Sequence, residues 1–327
     1  MTHLPDTAPA FADPMAADMQ QVDRVIGQRL SSEVALIDQI SRYIVSAGGK
    51  RIRPRLVLLF SEALGFAGPQ RYELAATVEF IHTATLLHDD VVDESSLRRG
   101  RQTANALFGN AASVLVGDFL YSRAFQMMVS VDRMRVLEVL ADATNVIAEG
   151  EVLQLMNMHD PDLAVDDYLR VIRFKTAKLF EASARLGAVL AHADREVEDA
   201  CADYGRSLGT AFQLVDDLLD YEGDTVALGK NVGDDLREGK PTLPLLVAMA
   251  RCTEAERLLM RHAIEHGEPD RLDEILAIVR RTGALEATRD AARAEAGKAR
   301  DALALLPESA ARTALLDLCA RSVERSS

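Results

Sequence analysis

From residue 19 onward, apolar side chains recur at three- and four-residue spacing with short interruptions, a period that suits helices packed by one face and not strands. The spacing predicts helices over 20–47, 55–64, 71–92, 111–129, 133–158, 165–191, 196–221, 242–250, 254–266, 272–283 and 285–305. Breaks fall at Gly48-Gly49, Gly65, Gly68-Pro69, Gly109-Asn110 and Asp160-Pro161, where glycine and proline end helices. Ala, Leu, Glu and Arg, all strong helix formers, carry much of the chain, and hydrophobic residues are 48% of it. No alternating strand, linker or solenoid-length repeat stands out. The expectation is an all-α, single-domain antiparallel helical bundle over 19–327, preceded by a loose arm at 1–18 that holds three prolines.

The net charge is −14, from 37 basic and 51 acidic residues. Such a far field repels phosphates, which argues against general nucleic-acid binding and against more than transient membrane contact. An anionic ligand then needs a local basic cluster or a bridging cation. Cys201, Cys252 and Cys319 are widely separated and lack metal-site spacing, as expected of reduced thiols in a cytoplasmic protein. The N-terminus does not read as a signal peptide, and no apolar run reaches the ~18 residues that span a bilayer.

Two segments concentrate carboxylates. His88-Asp89-Asp90-Val91-Val92-Asp93 closes one apolar helix, and Asp216-Asp217-Leu218-Leu219-Asp220 closes another; each reads DDxxD. On a helix Asp89 and Asp93 share a face, as do Asp216 and Asp220. Like charges at that spacing, near a helix C-terminus, destabilise the helix they sit on, so a cation should compensate them. Oxygen-only donors suit Mg²⁺, which takes one or two carboxylates and completes its shell with phosphate oxygens and water. A single DDxxD is most simply surface charge. Two copies, both beside basic residues, point to metal-bridged diphosphate.

The basic residues fall in sets. Gly48-Gly49-Lys50-Arg51-Ile52-Arg53-Pro54 is a glycine-opened loop before a helix, with the amides and cations an anion requires. Arg98 and Arg99 follow the first aspartate cluster, Lys175 and Lys178 lie one helical turn apart, and Lys230 and Lys240 follow the second cluster. His82, seven residues before Asp89, shares its helix face.

In order along the chain, GGKRIRP, LLHDDVVDESSLRRG, VGDFLYSRAF, AEGEVLQL, KTAKLFEAS, FQLVDDLLDYEGD and GKPTLPLL resemble the trans-type polyprenyl synthases, the family of farnesyl diphosphate synthase. The resemblance implies a helical bundle of the isoprenoid synthase type around a deep central cavity, as a homodimer. It implies Mg²⁺, three ions per active site: Asp89 and Asp93 as ligands of one pair and Asp216 of the third, with Asp90, Asp217 and Asp220 orienting the metal-bound waters. Arg98, Lys175 and Lys230 match residues that hold the allylic diphosphate, such as farnesyl diphosphate, with Lys240 close by. Lys50, Arg53, His82 and Arg99 match those that hold isopentenyl diphosphate. Thr176 and Gln213 match groups facing the developing allylic cation. Where many relatives continue Arg-Arg-Gly with one residue and Pro-Thr, this chain has Arg101-Gln102-Thr103, which implies a less rigid loop.

By the same resemblance the product grows from the first cluster toward the N-terminus of its helix, past Thr85, Ala84 and Ile81. Short-chain relatives place an aromatic near the first two. Small residues there leave the tunnel open to a long product, octaprenyl first, then nonaprenyl or decaprenyl, as for a respiratory quinone tail. Phe119, Leu120, Phe125, Met127 and Met128 are the expected apolar wall. A terpene cyclase would not need the GGKRIRP set with His82, and an inactive partner subunit would be expected to lose aspartates or basic residues that are intact here.

Overall fold

The computed structural model describes residues 15–46, 48–98, 100–222, 233–267 and 271–324. The described residues are helical nearly throughout. The helices are α1 (Ala16–Leu30), α2 (Ala35–Ser46), α3 (Ile52–Ala63), α4 (Gln70–Val92), α5 (Ala104–Phe108), α6 (Asn110–Ser130), α7 (Met134–Asn157), α8 (Val165–Ile172), α9 (Lys178–Leu190) and α10 (Arg195–Glu222). They continue with α11 (Asp234–Arg237), α12 (Leu243–Arg251), α13 (Glu254–His266), α14 (Leu272–Arg281), α15 (Ala284–Ala302) and α16 (Ala310–Val323). No described helix is long and apolar enough to cross a membrane.

Helices α9 and α10 form the centre. α10 packs between α9 and α15, and α3 and α4 close the other side of α9. Small residues set these distances: a β-carbon at Gly187 would lie 2.4 Å from Phe60 Cβ, and one at Gly205 would lie 2.4 Å from the Phe180 carbonyl. The main core holds Phe60, Ile81, Leu87, Leu120, Phe180 and Tyr204, all at most 2% exposed. A second apolar cluster gathers Leu236, Leu245, Met260, Ile264 and Val279 around Tyr221 at the end of α10. Through Leu236 it anchors α11 against the end of α10.

The structure departs from the periodicity reading in several places. The 20–47 stretch is two helices, broken at Ser31–Val34, where the Ser32 hydroxyl accepts a hydrogen bond from the Val34 N–H at 3.2 Å and competes with the helix. Residues 1–14 of the expected arm lie outside the described residues, and its last part, from Ala16, belongs to α1. A small antiparallel hairpin, β1 (Leu97–Arg98) with β2 (Arg101–Gln102), follows the first aspartate cluster where no strand was expected. Residues 173–177 form a π-helical turn within the 165–191 stretch. After Leu305 the chain folds once more into α16, which returns to the core through Leu315 and Cys319.

Candidate active site

The two aspartate helices converge on one cavity of about 670 Å³. Asp89 and Asp93 line one wall and Asp216 and Asp217 the facing one. Asp93 sits one residue beyond α4, and its N–H still donates to the Asp89 carbonyl at 2.8 Å, so the helical spacing of the pair survives. The chain's own cations meet these carboxylates: Lys240 Nζ lies 3.0 Å from Asp93 Oδ2, and Lys175 Nζ lies 3.8 Å from Asp89 Oδ2. Burial works against the Lys240 ammonium, but Asp93, Glu238 and Asp235 outweigh it and hold its pKa above the usual lysine range.

The remaining aspartates face inward and are braced. Asp90 is fully buried and receives Arg98 Nη2 and Nε on Oδ1 at 2.7 and 2.9 Å, while its Oδ2 has no hydrogen-bond partner. Burial raises its pKa against the pull of Arg98. Asp217 is buried, accepts the Tyr168 hydroxyl, and accepts Gln213 Nε2 at 2.8 Å; burial and then Asp235 raise its pKa. Asp220 accepts the Asp235 N–H at 3.2 Å, which ties α10 to α11. Gln213 also accepts the Thr176 hydroxyl at 3.0 Å, so one chain of hydrogen bonds runs Thr176–Gln213–Asp217–Tyr168.

Lys50, Arg53, His82, Arg98 and Thr85 line the same cavity. Arg53 stacks 4.5 Å above the Phe180 ring, and burial lowers its pKa to about 10, opposed by Glu79, which leaves it cationic at neutral pH. The loop ahead of α3 is bent through Gly48 and Arg51, with φ of +70° and +50°. The left-handed value at a non-glycine residue is a strain of the kind found at binding sites. Lys178, by contrast, turns outward to Asp142 and Glu181 at 2.7 and 3.1 Å. The π turn explains why: beyond its wider turn, a three-residue step no longer keeps two lysines on one face.

Ile81 and Ala84 are fully buried just beyond the cavity wall and do not line it. The expected apolar wall does not line it either. Leu120, Met127 and Met128 are sealed in the core, and Phe125 is 45% exposed on the outer side of α6. Arg99 and Lys230 lie outside the described residues.

Several lining groups escaped the sequence reading. Glu151 and Gln154 project from α7 one turn apart, and Asp234, Asp235 and Glu238 come from the segment after the second cluster. The AEGEVLQL motif contained Glu151, and three acids in GDDLREGK were visible, but nothing local said which way they point. Glu151 Oε2 lies 2.7 Å from Lys175 Nζ, and burial together with Asp89 pushes its carboxyl up to about 7, opposed by Lys175. Glu151 and Asp217 thus keep their protons to a higher pH in the folded chain than in the unfolded one. Between about pH 4.5 and 7 the folded state binds more protons, so stability falls as pH rises. Thermal melts of the metal-free protein should show this decline across that window, and Glu151→Gln should flatten it. An unchanged slope in that variant would remove Glu151 from the account.

Among the described residues, no three His, Cys, Asp or Glu side chains form a cage that could hold a metal by itself. The donor set does fit Mg²⁺ shared with a ligand: carboxylate oxygens from both clusters, no cysteine thiolate, and cations placed for phosphate oxygens.

The polyprenyl synthetase profile matches residues 34–280. The chain is 57% identical over 311 residues to octaprenyl diphosphate synthase from Escherichia coli (strain K12), covering 95% of this chain and 96% of that one. A polyprenyl synthase from Caulobacter crescentus CB15, solved in complex with calcium and isoprenyl diphosphate, superposes with a TM-score of 0.93 at 49% identity over 96% of each chain. A decaprenyl diphosphate synthase from Rhodobacter capsulatus superposes at 0.91 with 50% identity, covering 96% of this chain and 97% of that one. With matches over nearly its whole length and two carboxylate walls facing one cavity, the chain is a prenyltransferase of the polyprenyl synthetase family.

Proposed function

We propose that the chain is a long-chain trans-polyprenyl diphosphate synthase. It adds isopentenyl diphosphate head to tail onto an allylic diphosphate such as farnesyl diphosphate, and its product is octaprenyl diphosphate. The observation that carries this reading is the pair of aspartate clusters lining one cavity, the first of them paired with Lys175 and Lys240. Resemblance to an octaprenyl synthase at 57% identity supports the eight-unit length. Lys175, Lys240, Arg98 and Lys230 hold the allylic diphosphate, and Lys50, Arg53, His82 and Arg99 the isopentenyl one.

Three Mg²⁺ ions bound through Asp89, Asp93 and Asp216 would neutralise the departing pyrophosphate. Asp90, Asp217 and Asp220, braced from behind, hold the three ligands in register. Lys175 and Lys240 exchange their carboxylate partners for diphosphate oxygens. The Thr176 hydroxyl donates its hydrogen bond to Gln213 Oε1, which leaves the hydroxyl oxygen's lone pairs to the electron-poor allylic carbon. Phe180 and Phe212 keep water from that carbon. The released proton leaves on pyrophosphate, since no base dyad or activated cysteine is present among the described lining residues.

The product extends past Thr85 and Ala84 toward Ile81. Ala84→Phe is expected to stop elongation early, because this fully buried position beside cavity-lining Thr85 has no free room for a ring, which must press into the product's path. Chromatography of products made from farnesyl diphosphate and labelled isopentenyl diphosphate checks both statements. One long polyprenyl species from the parent and a shorter one from the variant is the expected pair. Products that stop at twenty or twenty-five carbons in the parent would refute the chain-length reading, and no incorporation would refute the activity.

A second copy of the chain covers the outer side of α6 and α7. Leu115, Phe125 and Val129 on α6 and Val152, Leu155 and Met156 on α7 are 45–73% exposed and follow helical spacing. Sedimentation of Leu155→Glu as a monomer, against a dimeric parent, tests this. The free thiols of Cys201, Cys252 and Cys319 suit a reducing cytoplasm.

A further inference from the structure

The β1–β2 hairpin carries Arg98 to the cavity, yet with two residues in each strand it cannot hold its own shape. From the inner side it is fastened to α4. Arg98 grips Asp90, Asn105 Nδ2 donates to the Asp90 and Ser95 carbonyls at 2.9 and 3.2 Å, and the Thr103 hydroxyl donates to the Ser95 carbonyl at 2.7 Å. On β2 the fastening comes from α2, 59 residues away in sequence. The Tyr43 hydroxyl donates to the Gln102 carbonyl at 2.6 Å, the Arg101 guanidinium lies 5.1 Å over the Tyr43 ring, and that ring meets Phe108 edge-on at 5.8 Å.

We infer that Tyr43 is a positioning residue for the diphosphate-binding hairpin, holding β2 so that β1 keeps Arg98 at the cavity. The inference rests on the proposed prenyl transfer only for what the hairpin binds. The action of Tyr43 runs through the Gln102 carbonyl and the Arg101 stack.

The ladder register supplies a discriminating test. Thr103 N–H donates to the Ser96 carbonyl at 3.1 Å, so 96 and 103 form a hydrogen-bonded pair. Antiparallel ladders alternate, which makes Leu97 and Gln102 the non-bonded pair, with the Gln102 N–H turned away from β1. Proline at 102 therefore removes no ladder bond, fixes φ, and biases Arg101 toward the extended conformation that β2 already has. Gln102→Pro supplies from within the hairpin the stiffness that Tyr43 supplies from outside.

In steady-state assays on the full chain, Tyr43→Leu should raise KM for the allylic diphosphate about fivefold, the scale of one hydrogen bond, with kcat much less affected. Tyr43→Phe, which loses only the hydroxyl, should show a smaller rise and guards against misfolding of the leucine variant. Gln102→Pro alone should match the parent, and adding it to Tyr43→Leu should restore KM. Calorimetric titration with Mg²⁺ and inorganic pyrophosphate should repeat the pattern without turnover. If the parent lacks turnover but pyrophosphate binding shows loss and rescue, the activity reading fails and the Tyr43 assignment stands. Unchanged KM and binding in both Tyr43 variants, or a loss that Gln102→Pro does not restore, overturns the assignment.

Discussion

Asp89→Ala is expected to lower kcat by about three orders of magnitude while the far-ultraviolet circular dichroism stays that of the parent. The size follows from the several kcal/mol of charge stabilisation that a metal ligand contributes, at 1.36 kcal/mol for each factor of ten. The fold should survive because Asp89 sits on the cavity wall, opposite Lys175 at 3.8 Å, and holds no other element in place. The apo protein should even gain slightly in stability, since the change removes a like charge near Glu151 at the end of α4. Asp216→Ala should behave likewise from the facing wall. Asp90→Ala should differ: it strands the Arg98 guanidinium beside a buried site, so thermal stability should drop along with activity. Kinetics at saturating Mg²⁺ beside thermal melts separate the three variants. Full activity in both Asp89→Ala and Asp216→Ala would sink the metal assignment.

Those aspartates were legible in sequence because their signal is local. Two acids four residues apart on an otherwise apolar helix conflict with both helix electrostatics and burial, and the conflict is visible in six residues. The basic GGKRIRP loop was legible for the same reason, as was the all-helical class. Glu151, Asp235 and Glu238 were not, because their direction depends on how α7 and the segment around α11 are brought to the same cavity as α4, a tertiary fact. The break at Ser31–Val34 was hidden by apolar spacing that continues across it. The hairpin was too short to show alternation, and its shape depends on Tyr43, far away in sequence. Lys178 was paired with Lys175 on the assumption of 3.6 residues per turn, which the π turn breaks.

That π turn leads to the second large effect. Gly150 of α7 faces it directly: a β-carbon there would lie 2.5 Å from the Lys175 backbone nitrogen and 2.8 Å from Phe174 Cβ. Gly209 of α10 presses from the other side, where a β-carbon would lie 2.7 Å from Ala177 Cα. Backbone atoms cannot rotate out of the way as the end of a side chain can, so the turn sits in a slot bounded by two glycines. Its shape sets the register of Lys175 and Thr176, the two residues it delivers to the cavity. Gly150→Ala must push the turn toward the cavity by an appreciable fraction of an ångström. A displacement on the order of 1 Å costs roughly a hundredfold in rate, and overpacking costs about 1–3 kcal/mol of stability. We expect kcat to fall about a hundredfold and the melting temperature to drop by several degrees. Gly297→Ala on α15 is the control, because a β-carbon there meets nothing within 4 Å and should be neutral or mildly stabilising. If Gly150→Ala destabilises the chain yet leaves kcat intact, the turn tolerates displacement, and the placement of Lys175 and Thr176 must come instead from their own partners, Glu151 and Gln213.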